Sequence, residues 1–196
     1  MTDAPTHVVP GGVALAPRAG LALVLGDDVN TDELHPSRFY SLQDATVRSG
    51  FLQAVPGRRG ETVDVGRILV AGQHFGLGSS RETGARVFIL NGVRAIVATG
   101  FARIFLRNII NLGLPAFVCT DPALREAVRD GSALIVDPQA LTLTLADGRV
   151  LALEAPDALH ARVLEAGGLV PYLGLHPGAA PFPGAPQPTA PAPEAP

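Results

Sequence analysis

The chain has 196 residues, of which 22 are Gly and 18 Pro. Together they far exceed the average of roughly 12%, and eight of the prolines fall within 177–196. Hydrophobic residues make up 47% and charged residues 17%, which supports one packed domain and argues against global disorder. The formal charge is −3, with 15 basic residues that are all Arg, so phosphate neutralisation on a nucleic acid is not expected as the main activity.

Residues 1–20 read as a partly ordered extension, and 21–25 (LALVL) as a strand running into a Gly-Asp-Asp turn. A short helix is expected over 42–54, and 67–71 (RILVA) reads as a strand that feeds a glycine-rich loop. Ser79 and Glu82, three apart, fit a capping box at the start of a helix that Asn91-Gly92 ends. Strands are then expected at 94–98, 116–119, 133–136, 141–145 and 150–153, with Asp147-Gly148 as a hairpin turn. Helices are expected at 102–112, 122–129 and 157–166. The alternation in the middle predicts an α/β fold with parallel strands and crossover helices. The expected divisions are an extension over 1–20, one domain over 21–176, and a Pro/Ala-rich flexible tail over 177–196.

Cys119 is the single cysteine, so an intrachain disulfide is excluded, and so is a cluster held on several Cys of this chain alone. No signal-peptide pattern opens the chain, and no apolar run approaches membrane-spanning length, so a soluble cytoplasmic protein is expected.

Three segments could carry chemistry. In Gly76-Leu77-Gly78-Ser79-Ser80-Arg81-Glu82, glycines allow close backbone approach, a helix N-terminus favours an anion, and an Arg can clamp a carboxylate. A tight loop before a capped helix, with a solvated Arg, explains the local pattern as well. A dinucleotide fingerprint would need Gly at Arg81, and a P-loop would need Lys, which the chain lacks. The acidic segment from Gly26 to Glu33 does not have calcium-loop spacing and reads on its own as a turn with solvated acids. Arg103 and Arg107 stand one helical turn apart, which fits a solvated basic stripe or an anion contact. His35 and His74 flank the first two motifs, with nothing in sequence to pair them.

Taken together, Gly26–Asp32, Phe75–Glu82 and the stretch from Phe101 to Pro115 resemble the small subunits of the aconitase-type hydro-lyases. The similarity is to those of 3-isopropylmalate dehydratase and homoaconitase, and it spans about 20–176. The resemblance implies a single swivelling β/β/α domain like the fourth domain of aconitase. It implies a reversible dehydration and rehydration of a malate-type acid, the isomerisation of isopropylmalate in leucine biosynthesis being the leading case and homoaconitate the alternative. It implies a [4Fe–4S] cluster carried by a separate large subunit, in a heterodimer or heterotetramer, with a small di- or tricarboxylic acid as substrate and no nucleic-acid or membrane partner. Position by position, Ser79 matches the serine that removes the proton and Asp32 an active-site acid. Ser80, Arg81, Gly78 and Arg38 match substrate-binding positions. Thr83 stands where many relatives have His, and Phe39-Tyr40-Ser41 where many have Tyr-Leu-Arg. A non-catalytic anion-binding regulatory module is the alternative of a different class.

Overall fold

The computed structural model describes residues 15–59, 66–78 and 81–175. The expected tail over 177–196 lies outside them, as do most of the expected extension and both Ser79 and Ser80.

Two apolar runs set the centre. RILVA and VRAIVA form β2 (Arg67–Ala71) and β3 (Val93–Ala98) and are buried along most of their length, as strands covered on both faces are. They pair in parallel with β1 (Arg18–Val24) on one side and β4 (Ala116–Val118) on the other. Strand β1 begins inside the segment expected to be an extension, because Arg18–Leu21 also pairs with β5 (Ala133–Asp137). From there the sheet is antiparallel, through β6 (Thr142–Thr144) to β7 (Val150–Ala152). The Asp147-Gly148 turn joins the last two strands as expected, with Asp147 accepting the Arg149 N–H at 3.0 Å.

The strand order β4-β3-β2-β1-β5-β6-β7 would put β4 and β7 at opposite edges of an open sheet. Instead the Glu154 N–H just after β7 donates to the Val118 carbonyl in β4 at 2.8 Å. The sheet therefore curls until its edges meet. Side-chain alternation sorts the buried residues into two cores. Ile68, Val70, Ala95 and Val97 face inward against Leu134, Leu143 and Leu151 of the antiparallel half. Leu69, Ala71, Ile96 and Ala98 face outward against the helices. Two β layers and a helical layer result, which is the expected β/β/α arrangement.

The outer layer holds α2 (Asp44–Ser49), α3 (Thr83–Leu90) and α4 (Arg103–Asn111). Phe105 and Ile109 of α4 are buried in the outer core. Next come α5 (Ala123–Ala127) and α6 (Ala158–Glu165), each within two residues of its expected bounds. The helix expected over 42–54 shrinks to α2, because Leu52 takes a positive φ of 53° and the chain folds back in turns that bury Phe51 and Val55. Among the described residues two α-helices were not expected. Helix α1 (Thr31–Leu34) is a single turn in the acidic segment. Helix α7 (Leu169–Leu175) restarts after the Gly167-Gly168 stop and tolerates Pro171 in its first turn, where N–H groups have no helical partner. Ile110 joins Val163, Leu164 and Tyr172 of α6 and α7 in a third, smaller core. Among the described residues no helix is long and apolar enough to cross a membrane.

Candidate active site

Parallel strands deliver their following loops to one edge of a sheet, and here that edge gathers the loops after β1, β2 and β3. Pairing continues past the strands. Asp28 N–H donates to Gln73 O at 2.9 Å, Gly76 N–H to Val29 O at 3.0 Å and Thr31 N–H to Leu77 O at 2.7 Å. On the other side Phe75 N–H donates to Gly100 O and Ala102 N–H to Phe75 O, both at 2.9 Å. The glycine loop is thus stitched between its two neighbours.

Phe75 anchors it from below. The side chain is fully buried and meets the rings of Phe88, Phe101 and Phe105 edge to face, at 5.4–6.3 Å between centroids. The next positions require glycine. Gly76 has φ +86°, and a Cβ there would run into the Phe105 ring. Gly78 has φ +104°, and a Cβ there would lie 2.6 Å from Asn30 Oδ1 and 3.0 Å from Thr31 Oγ1.

The capping box lies elsewhere than expected. Helix α3 begins at Thr83 with Glu82 as its N-cap, and Glu82 makes no side-chain cap bond. Its carbonyl starts the helix instead, accepting from Ala85 and Arg86 at 2.8 and 2.9 Å. The reciprocal pair is in α1: Asn30 Oδ1 accepts the Asp32 N–H at 2.8 Å, and Glu33 Oε2 accepts the Asn30 N–H at 2.9 Å. The acidic segment is therefore a built element rather than a turn of solvated acids. Asp27 accepts the Gln73 N–H at 2.8 Å and an Arg125 N–H at 2.7 Å, and the Gln73 bond chiefly, then Arg125, hold its carboxyl below the usual range. His74 also has a partner. Its Nδ1–H donates to Asp28 at 2.8 Å, with both residues in the left-handed region at φ 51° and 56°.

Of the expected site residues, Asp32, Gly78 and Arg81 come together. Gly78 packs on Asn30 and Thr31, next to Asp32. The Tyr40 hydroxyl donates to Asp32 Oδ1 at 3.2 Å, and the Arg81 guanidinium carbon lies 4.8 Å from the Tyr40 ring centroid. Arg38 is exposed and stacks on its neighbour Phe39 at 4.7 Å, so no contact links it to this group. Beneath Tyr40, 5.3 Å between ring centroids, lies the fully buried His35. Its Nε2–H donates to the Val47 carbonyl at 3.1 Å, which leaves Nδ1 as a buried lone pair without a partner. Burial lowers the His35 pKa, against the smaller upward pull of the Val47 bond. Arg103 and Arg107 line a cavity of about 520 Å³ beside Glu154 and His160, whose walls include neither Asp32 nor Arg81.

Residues 29–119 match the family described as the aconitase C-terminal domain. The chain is 38% identical to the 3-isopropylmalate dehydratase small subunit 1 of Methanopyrus kandleri, over 77% of this chain and 89% of that protein. It is 37% identical to the 3-isopropylmalate dehydratase small subunit of Pyrobaculum aerophilum, over 79% and 95%. The chain belongs to the small-subunit family of the aconitase-type hydro-lyases. A family member of known structure, a 3-isopropylmalate dehydratase from Methanocaldococcus jannaschii, superposes with a TM-score of 0.74 at 31% identity, covering 81% of this chain and 94% of that one. The family also includes a methanogen homoaconitase small subunit from the same organism, 34% identical over 79% of this chain and 89% of that protein.

The residues of this family member do not fit an iron–sulfur cluster. Cys119 is fully buried in the inner core, where burial pushes its thiol pKa up and away from the thiolate that iron needs. Among the described residues no group of three His, Cys, Asp or Glu side chains is gathered as a metal site. Sequence reading did not single out Tyr40, which touches both Asp32 and Arg81. Its signals were its place between the acidic motif and α2 and the departure of Phe39-Tyr40-Ser41 from Tyr-Leu-Arg, and its contacts lie 8 and 41 positions away in the chain.

Proposed function

We propose that the chain is the small subunit of a cytoplasmic 3-isopropylmalate dehydratase, which interconverts 2-isopropylmalate and 3-isopropylmalate with an iron–sulfur large subunit. The observation that carries the site is the pairing of Gly78 against Asn30 with Arg81 on the Tyr40 ring. Gly78 and Arg81 are the neighbours of Ser79 and Ser80 in the chain. The relatives at 37–38% identity support the choice of substrate.

In this reading Ser79 takes a proton from the carbon next to the one that loses hydroxide, leaving the unsaturated diacid. Water then returns with the two positions exchanged, so no atom is gained or lost. A serine hydroxyl is a weak base, so its alkoxide needs donors already in place. Arg81 and Ser80 bind a substrate carboxylate, and Gly78 lets the backbone approach it. Asp32 orients the proton transfer, and Arg38 is a further substrate contact supplied when the subunits close. The cluster belongs to the large subunit, and no step of this chain runs through it.

The test is reconstitution with the large subunit and an assay of isopropylmalate against homoaconitate. Ser79→Ala is expected to lower kcat by about 10²–10⁴-fold, the range for a lost acid–base group. Arg81→Lys is expected to cost roughly 10²-fold in kcat/KM, because a planar clamp is replaced by a point charge. Turnover by Ser79→Ala at the wild-type rate removes the proposed base. Tight subunit binding with no turnover of either substrate favours a regulatory anion-binding module.

A further inference from the structure

Tyr40 touches two proposed site residues that come from different loops. Asp32 follows β1 and accepts its hydroxyl at 3.2 Å, whereas Arg81 follows β2 and lies over its ring at 4.8 Å. We propose that Tyr40 is a positioning residue that fixes the Asp32 carboxylate and the Arg81 guanidinium in one geometry for a carboxylate substrate. The inference rests on the reading of those two residues as active-site groups.

The platform is built from the core outward. Val47 and His35 are both fully buried, and the His35 ring is fixed by its bond to the Val47 carbonyl. Gly50 packs so closely that a Cβ there would meet His35 Cδ2 at 2.5 Å. The Tyr40 ring rests on this imidazole at 5.3 Å. Its other contacts are the two charged groups. An exposed arginine samples many rotamers, and stacking on a fixed aromatic face narrows them. Stacking also occupies the face of the guanidinium and none of its five N–H donors, which lie in its plane. A direct Asp32–Arg81 pair would instead turn the acid's oxygens and the Arg donors on each other. Through Tyr40, Asp32 on its hydroxyl and Arg81 on its ring share one rigid side chain.

Two variants separate the two contacts in the complex with the large subunit. Tyr40→Phe keeps the ring and loses the hydroxyl; kcat should fall about tenfold, with KM changed less than about twofold. Tyr40→Leu loses both contacts and should also raise KM by about tenfold. Because Tyr40 acts through Asp32, Tyr40→Phe combined with Asp32→Asn should be no slower than Asp32→Asn alone. Wild-type kinetics in Tyr40→Leu, or losses that multiply in the double variant, overturn the proposal.

A second measurement needs no turnover. In the full chain alone, the Arg81 Nε–Hε signal in the NMR spectrum should be shifted by the ring current, keep that shift in Tyr40→Phe and lose it in Tyr40→Leu. A signal that Tyr40→Leu leaves unmoved overturns the platform. A platform intact by this measure in a complex that turns over neither isopropylmalate nor homoaconitate counts against the substrate reading and supports the positioning of the two groups.

Discussion

Strands β2 and β3 are buried along almost their full length, whereas β5 and β7 alternate between buried and exposed positions. The difference follows from what covers each half. The parallel half is packed between the inner core and the helices, so both of its faces need apolar side chains. The antiparallel half keeps one face in solvent. Connections differ in the same way. Each parallel strand sends its loop to the same edge of the sheet, and those loops hold Asp32, Gly78 and Arg81. Antiparallel hairpins alternate between the two edges, and the short turn at Asp147-Gly148 projects no candidate site residue. One half is therefore a stage for the loops, and the other closes the inner core beneath it.

This division sets the sizes of mutational effects. Phe75→Ala should have the largest, about 3–5 kcal/mol in chemical denaturation, since a fully buried ring in contact with three others is removed. It should also reduce activity in the reconstituted complex, because Phe75 is the root of the glycine loop. Leu143→Ala removes a fully buried side chain of β6 and should cost about 2–5 kcal/mol. Here kcat/KM of the folded complex should stay within about twofold of wild type. A Leu143→Ala enzyme that is stable but slow would break the separation between the two halves.

The same division explains what could be read in the sequence. The pattern bounds RILVA to the residue, because an apolar run rich in β-branched side chains between a Gly and a Gly-rich loop has few other solutions. The first three residues of β1, Arg-Ala-Gly, carry no strand signal. They are strand because β5 pairs with them, a tertiary cause. For the site, the glycine loop and the acidic segment were recognisable as places where chemistry could occur. The sequence pattern puts the capping box at Ser79/Glu82, whereas the structure has it at Asn30/Glu33, which has the same spacing; only the backbone entry into each helix separates the two. The His74–Asp28 pair depends on two left-handed residues facing each other across separate loops. Tyr40 depends on contacts 8 and 41 positions away in the chain. Local pattern reports neither.

The smallest effect lies at the seam between the halves. Asp130, in the connection before β5, accepts two bonds from Arg58 at 2.8 and 3.0 Å and the Val24 N–H of β1 at 2.9 Å. Arg58 in turn donates to the Val24 carbonyl at 3.0 Å. The Arg58 bonds hold the Asp130 carboxyl below its usual range, against the smaller upward pull of burial. A depressed folded pKa means that the unfolded chain takes up its proton first as the pH falls. The contribution is therefore fully present above about pH 4 and fades as the pH drops through the folded value. The carboxylate is 45% exposed, so solvent screens the pair and Asp130→Asn should cost less than about 1 kcal/mol at pH 7. The gap between wild type and variant should narrow steadily in denaturation curves as the pH is lowered below about 4. A gap that persists unchanged over that fall in pH would mean that Asp130 holds the halves together by its shape and its bond to Val24, with the Arg58 charge contributing nothing.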